Sequence, residues 1–286
     1  MFVKPFRYER VETLPEACDR LRSAEGYTKV LAGGQSLLPL INLGLVELDG
    51  VIDIGHVAGA AAVRANDGYV DIGALTRHED LVRDATLRDR QPLLPAAAGW
   101  IGSRRIRSRG TIGGSLVHSD PAAELPLVMV ALGAEYALTT AAVTRIVRAD
   151  EFHVSYFTSS IQDDELIESI RVPTLGPGWG WGFAEIARRR GDWAVAAAAS
   201  VVRVADGRVV EARVALGGVH ERPMRLGAVE SVITGASREE LDDRVGPIDG
   251  IEPVSDTSAS AEHRRRLARV LAVRAIADAV DRGAAA

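Results

Sequence analysis

This sequence is short of the residues that staple small domains or hold metals. One cysteine, Cys18, stands in 286 residues, which excludes an internal disulfide and any cysteine-ligated zinc or iron–sulfur centre. Six histidines are scattered with no i, i+4 pair and no cysteine partner nearby, so the usual zinc spacings are missing. No apolar run approaches the roughly 18–20 residues of a membrane span, and the opening MFVKPFRYER lacks the apolar core of a signal peptide. The expectation is a reduced, soluble, cytoplasmic protein. No glycine pair in the chain is followed by a Walker lysine, no G-x-S-x-G elbow occurs, and the run Gly176 to Gly182 alternates glycines without giving G-x-G-x-x-G. A P-loop, an α/β-hydrolase and a Rossmann nicotinamide site are therefore excluded by motif.

What is present is ordinary globular composition, 47% hydrophobic and 26% charged, with a net charge of −5. An acidic chain argues against nucleic acid as the main partner. The local cluster Arg104, Arg105, Arg107 and Arg109 is the exception and suits a phosphate.

Three blocks emerge. In the first, Thr13–Ser23 reads as a helix, with Thr13 as cap, Pro15 in the first turn and Glu16 as the capping-box acid. Strands are expected at YTKVLAG (27–33) and LDGVIDIG (48–55). The second block opens with alternating runs joined through Asn66-Asp67-Gly68, a hairpin signal. Helices follow near His78–Arg83 and Leu93–Ala98, then a glycine turn, a helix and a strand. Pro173 to Gly178 breaks the pattern and marks a domain boundary. In the third block two alternating strands flank Asp206-Gly207, and Glu239–Val245 and His263–Asp281 read as helices around a 246–261 loop. The mixture predicts an α+β fold with antiparallel sheets and few parallel crossovers.

A double glycine with a serine directly after it or one position later occurs twice, as Ala32-Gly33-Gly34-Gln35-Ser36 and as Thr111-Ile112-Gly113-Gly114-Ser115. Adjacent glycines allow positive φ and let amide N–H groups converge, and Ser36 stands just before a helix, an arrangement that suits a phosphate. Two such concavities fit the two phosphates of a dinucleotide; two tight turns are the plain alternative. In HSDPAAELP (118–126), Asp120 before Pro121 reads as an N-cap with proline at the first helical position. Glu124, one turn on, can accept hydrogen bonds from ribityl or ribose hydroxyls, or can simply lie on a solvated helix face.

KVLAGGQSLLPLINLGL (29–45), IGALTRHEDL (72–81), RIRSRGTIGGSLVHSDPAAELP (105–126) and RRRGDWAVAAAA (188–199), taken in order, resemble the FAD-binding medium subunit of molybdenum hydroxylases. This is the carbon monoxide dehydrogenase and xanthine dehydrogenase family. The resemblance extends through ELIESIRVP (165–173), LGGVHERPMRL (216–226) and the closing 258–276 stretch. It implies a two-lobed FAD-binding domain of the vanillyl-alcohol-oxidase (PCMH) type over 1–175, with lobes of about 1–56 and 57–175, and a small C-terminal α+β flavoprotein domain over 176–286.

Carried across, Lys29, Val30, Leu31, Ala32, Gly33, Gly34, Gln35 and Ser36, with Thr111, Ile112, Gly113, Gly114 and Ser115, would wrap the FAD pyrophosphate. Ile101 would pack near the cofactor. Asp120 and Glu124 would join the site, Glu124 at the ribityl or adenosine hydroxyls. Ile167 would line the adenine end, and Trp193 would lie against the isoalloxazine; taken alone, Trp193 reads as a half-buried strand aromatic. Ser115 stands where many members carry Asn, and Glu124 where Asp is common. Glu185 lies where some relatives supply a lysine to the flavin, and it is left out of the expected site. Cys18 alone cannot support the extra iron–sulfur loop of some relatives.

The implied activity is electron transfer: a cofactor-borne oxidoreductase subunit that passes electrons from iron–sulfur clusters to an external acceptor and needs no acid–base pair of its own. The implied partners are a molybdopterin-binding large subunit and a small subunit with two [2Fe–2S] clusters, in a dimer of heterotrimers; the large subunit chooses the substrate. Two rivals share the fold: a self-sufficient FAD oxidoreductase, which would need a substrate cap larger than the third block, and a non-enzymatic nucleotide-binding assembly subunit, which degraded glycine turns would mark.

Overall fold

The structure, a computed structural model, describes residues 4–286. Its first layer is a three-stranded sheet with Gly50–Asp53 central between Arg7–Arg10 and Thr28–Leu31. Both pairings are parallel, where antiparallel sheets were expected. Parallel neighbours need crossovers. The first is the helix Leu14–Arg22, whose Thr13 Oγ1 accepts from Glu16 N at 3.3 Å. The Glu16 carboxylate reaches back to the amide of Glu12 at 3.1 Å, one residue before the capping-box position. The helix Leu37–Asn42 lies within the second crossover.

A five-stranded antiparallel sheet follows, ordered Val63–Ala65, Tyr69–Gly73, Leu166–Pro173, Glu135–Thr139, Thr144–Arg148. The Asn66 hairpin is present, with Gly68 at φ 77°. Above this sheet sits Glu124–Leu132, a helix whose nine residues are all buried because other layers cover it on every side. It begins at Glu124 with Ala123 as cap. The reading of Asp120 as N-cap is thus corrected: its carboxylate accepts from Ala122 N at 2.9 Å in a local Asx turn, and the helix starts four residues later.

The last sheet is antiparallel, ordered Trp179–Ala187, Ala194–Ala205, Arg208–Gly217, Met224–Arg225. Asp206 and Gly207 take φ values of 51° and 71°, as a tight hairpin demands. Ala194–Val202 is buried throughout rather than alternating. The helix Ala261–Ala284 covers one face and Glu124–Leu132 the other, so both sets of side chains turn inward. The glycine alternation in the Trp179–Ala187 strand serves the long helix. A Cβ at Gly180 or Gly182 would run into the carbonyl oxygens of Ala279 or Ala275, so helix and strand meet backbone to backbone. Trp179, Trp181 and Phe183 point the opposite way. Ala197, Ala199, Val201 and Ala215 of this sheet share one core with Leu125, Leu127 and Met129. The expected 239–245 helix is shorter, Leu241–Arg244, and the final helix longer, capped by Ser260 Oγ accepting from His263 N at 3.2 Å. Among the described residues no helix is long and apolar enough to cross a membrane.

Candidate functional site

The first glycine pair leaves the Thr28–Leu31 strand and leads to Ser36, the residue before Leu37–Asn42. Gly34 has φ 71°, a conformation that strains any side chain. Gly33 serves close approach instead. A Cβ there would run into the Arg109 carbonyl and lie 2.9 Å from Gly110 Cα. Those two residues lead directly into Thr111, so the two glycine segments, some eighty residues apart, pack against each other. Their contact is braced by Arg77, which donates to the carbonyls of Arg109 and, at 3.4 Å, of Gly55. Beside it His78 N donates to Gly110 O at 3.0 Å, and His78 Nε2 donates to Thr111 O at 2.9 Å. Burial holds His78 neutral, its pKa lowered to about 4.

The second pair is not the turn that was expected. Thr111 caps the helix Ile112–His118, its Oγ1 accepting from Gly114 N at 3.2 Å, and both glycines lie inside the helix. Neither has positive φ. Gly113 is needed for contact: a Cβ would stand 2.7 Å from Ala74 Cβ and 2.9 Å from Ala74 O, while Gly113 N donates to that same oxygen at 2.8 Å. Gly114 is exposed, and a Cβ there meets only the Thr111 cap hydroxyl, at 2.8 Å.

The first glycine segment fits an anion. Among the described residues the amides of Gly34, Gln35 and Ser36 donate to no protein acceptor, so they are free for a phosphate oxygen. Val30 and Leu31 turn their side chains into small cores, which leaves only their main chain for a ligand. Lys29 is exposed, its ammonium 4.9 Å from the Tyr27 ring centroid. Ile167 is buried where the Leu166–Pro173 strand bulges, and the bulge residue Glu168 accepts from Ala74 N at 3.1 Å, linking it to Gly113. Ile101 is half-buried. Its neighbour Gly102 meets Gly191, where a Cβ would lie 2.7 Å from the Gly102 oxygen. That contact draws the 188–193 turn to the Ile101–Gly102 segment. Trp193 follows in this turn at 80% exposure, a free ring and not the half-buried strand aromatic of the plain reading.

Three buried carboxyls, Asp120, Glu124 and Glu185, lie near enough to act on one another. Burial raises Asp120 above its ordinary range. Burial, with Asp120 adding to it, pushes Glu124 up to about 7. Glu185, left out of the expected site, is pushed to about 8 by burial and then by Glu124. The loop carrying Asp120 is anchored from behind. Ser119, at φ 53°, places its Oγ 2.8 Å from His153 Nδ1, and Tyr136 OH lies 3.4 Å from His153 Nε2. No group of three or more His, Cys, Asp or Glu among the described residues could hold a metal ion. A cavity of about 430 Å³ lies elsewhere, between Thr13, Val57, Arg64 and Glu168, and the glycine segments do not line it. Arg77 was missed because its partners are distant in sequence, whereas Glu185 was set aside because some relatives supply a lysine there; IGALTRHEDL entered the sequence reading only as part of the resemblance.

Residues 4–175 match the family model described as the FAD binding domain in molybdopterin dehydrogenase, and residues 181–279 match the CO dehydrogenase flavoprotein C-terminal domain. The chain is 36% identical over 281 residues to the 6-hydroxypseudooxynicotine dehydrogenase complex subunit alpha of Paenarthrobacter nicotinovorans, covering 97% of this chain and 95% of that one. It is 34% identical over 280 residues to the glyceraldehyde dehydrogenase medium chain of Sulfolobus acidocaldarius, covering 96% and 98%. A solved carbon monoxide dehydrogenase from Hydrogenophaga pseudoflava, lacking the Mo-pyranopterin moiety of its molybdenum cofactor, superposes with a TM-score of 0.94 over 99% of both chains at 32% identity.

Proposed function

The chain belongs to the FAD-binding medium subunits of the molybdopterin dehydrogenases, oxidoreductase subunits of the carbon monoxide and xanthine dehydrogenase type, and on that premise we propose that it carries one FAD in the groove between its glycine segments. The observation that carries this reading is the packing of Gly33 onto Arg109-Gly110 beside three amides with no protein acceptor. In it, the main chain of Lys29–Ser36 and the Thr111–Ser115 helix start hold the pyrophosphate. Glu124 takes hydroxyls of the ribityl or ribose chain, with Asp120 beside it. Ile101 and Trp193 provide apolar surface along the groove, with Ile167 buried behind its adenine end.

Bound there, FAD supplies a redox relay between iron–sulfur clusters of a partner subunit and an external acceptor. This chain's residues do the holding: Arg77 fixes the two segments, and the buried carboxyls set the charge next to the cofactor. Residues 1–175 act as the FAD domain, in lobes of about 1–56 and 57–175, and 176–286 as the flavoprotein domain. The complex is a dimer of heterotrimers with a molybdopterin-binding large subunit and a [2Fe–2S] small subunit, working in the cytoplasm.

The test is to express the chain alone, release its cofactor with acid and identify it by mass, then co-purify partners on a tagged chain. Stoichiometric, non-covalent FAD is expected, together with an iron–sulfur and a molybdenum subunit. Absence of flavin after incubation with excess FAD, in the chain and in the assembled complex alike, overturns the reading.

A further inference from the structure

Buried carboxylates elsewhere in this chain are compensated. Glu165 takes two hydrogen bonds from Arg145, at 2.6 and 2.8 Å, and one from Gln162 N at 2.8 Å. Glu79 faces Arg83, Arg104 and Arg107. Glu185 is 8% exposed, and both of its carboxyl oxygens are buried with no hydrogen-bond partner among the described residues. An ionised carboxylate left so is expensive, and such a group in a native fold calls for an explanation.

Its place in the sheet supplies one. Along the Trp179–Ala187 strand, Ala184 packs into the core under the long helix, whereas Trp181 and Phe183 pack against the other core. By alternation Glu185 shares the face of Phe183. In register it stands opposite Ala197, which stands opposite Gly217. Over Gly217 lie Pro121 O and Leu127, at 3.2 and 3.4 Å from the position of a Cβ, and Gly218 N donates to Pro121 O at 2.7 Å. The 121–127 segment therefore covers the row that begins at Glu185, and Glu124 is in the middle of that segment.

We propose that Glu185 is a cofactor-positioning residue of the FAD groove: kept uncharged beside Glu124, it offers the ligand a neutral carboxylic acid. The inference rests on the groove being the FAD site. Two carboxyls so placed in a buried space do not both ionise at neutral pH, and the pair titrates as a unit. The charged groups around it are consistent with that. Glu124 raises Glu185, Asp120 raises Glu124, and His118 acts on Asp120. On the far side of the sheet Arg264 is committed to Val195 O, Gly218 O and Asp256. Arg188, Arg189, Arg190 and Asp192 follow in the next turn, and none of them is among the groups that shift Glu185. A neutral acid both donates and accepts. It can pair with a ligand hydroxyl or with the polar edge of a heterocycle, and it spares a pyrophosphate-bearing ligand a second negative charge.

The experiment uses the full chain and two readouts. Infrared spectroscopy without added FAD should show a buried carboxylic-acid carbonyl band in the wild type that persists above neutral pH, disappears near pH 8 and is missing from Glu185→Gln. Glu124→Gln should move its midpoint down. FAD affinity, followed by flavin fluorescence, should weaken in the wild type by up to about tenfold per pH unit above that point. Glu185→Gln, an isostere of the neutral acid, should bind FAD at neutral pH within a few-fold of wild type and lose that dependence. A wild-type carboxyl band that vanishes in the ordinary carboxylate range overturns the inference without need of any variant. FAD binding whose pH profile survives Glu185→Gln overturns the inference alone. Failure of the wild type to bind FAD at any pH overturns the flavin reading and the inference with it.

Discussion

Two neighbouring glycines should fail in opposite ways under the same substitution. Gly113→Ala puts a Cβ 2.7 Å from Ala74 Cβ and 2.9 Å from the Ala74 carbonyl, a backbone atom that also holds the Gly113 N–H. Carbon atoms rest at about 3.5–4.0 Å, so the helix Ile112–His118 must shift by roughly 1 Å. Overpacking of this kind costs about 1–3 kcal/mol, and the better helix propensity of alanine returns at most about 1 kcal/mol. A net loss of about 1–2 kcal/mol should lower Tm by about 2–4 °C for each kcal/mol. Gly114→Ala meets only the Thr111 hydroxyl, so the partial loss of a cap worth about 1 kcal/mol and the propensity gain nearly cancel. Its Tm should match wild type. Its added methyl points into the proposed pyrophosphate groove, and a clash of about 1.4–2.8 kcal/mol there weakens FAD about 10- to 100-fold. Gly114→Val should abolish retention. The assays are thermal unfolding of the flavin-free chain and FAD titration by fluorescence. A Gly114→Ala chain with wild-type affinity refutes the placement of the cofactor, and a Gly113→Ala chain with wild-type Tm refutes the packing argument.

Gly182→Ala should destabilise by about 3 kcal/mol, because its Cβ enters the Ala275 carbonyl; denaturant unfolding within about 0.5 kcal/mol of wild type would contradict this. Arg77→Met removes two carbonyl contacts that hold the glycine segments together, and should cost about 1–2 kcal/mol and weaken FAD binding; unchanged values of both exclude the brace. Stability should also follow pH in a set direction. His78 and His153, both lowered from 6.5 to about 4, bind fewer protons folded than unfolded, so their contribution is present above 6.5 and lost as pH falls toward 4. Glu124 and Glu185, raised from 4.5 to about 7 and 8, bind more protons folded, so theirs is present below 4.5 and lost as pH rises through those values. The two trends oppose each other up to 6.5, and above it the carboxyls act alone. Denaturation midpoints should fall from about pH 6.5 to 8, and less steeply in Glu185→Gln.

Features written in consecutive residues were legible. The Thr13 cap, the turns at Asn66-Asp67-Gly68 and Asp206-Gly207 and the long final helix all depend on local chemistry, and all are present. The Arg7–Arg10 strand escaped notice because its four residues are exposed and carry no apolar alternation; main-chain pairing to Gly50–Asp53 makes it a strand. Asp120-Pro121 misled because an Asx turn and an N-cap share the same residue preferences, and only the packing of Glu124–Leu132 decides where the helix begins. At the site, the glycine pairs were visible while their reasons were not. Of the four glycines only Gly34 needs positive φ, while Gly33 and Gly113 are set by atoms of residues 109–110 and 74. Glu185 and Arg77 gain their meaning from segments distant in sequence, which one sequence without structure does not pair.

The contact of the final helix with Gly180 and Gly182 also orders events during synthesis. The strand that begins at Trp179 emerges from the ribosome some eighty residues before the helix Ala261–Ala284 that lies on its bare backbone. Until that helix arrives, the alanine- and valine-rich face of the sheet has only the partial cover of the 226–245 segment. At about 5–20 residues per second, the nascent chain carries this partly open apolar face for several seconds. Completion of the flavoprotein layer therefore waits for the synthesis of that helix. Chaperone capture and premature association with other chains have their opening in that interval.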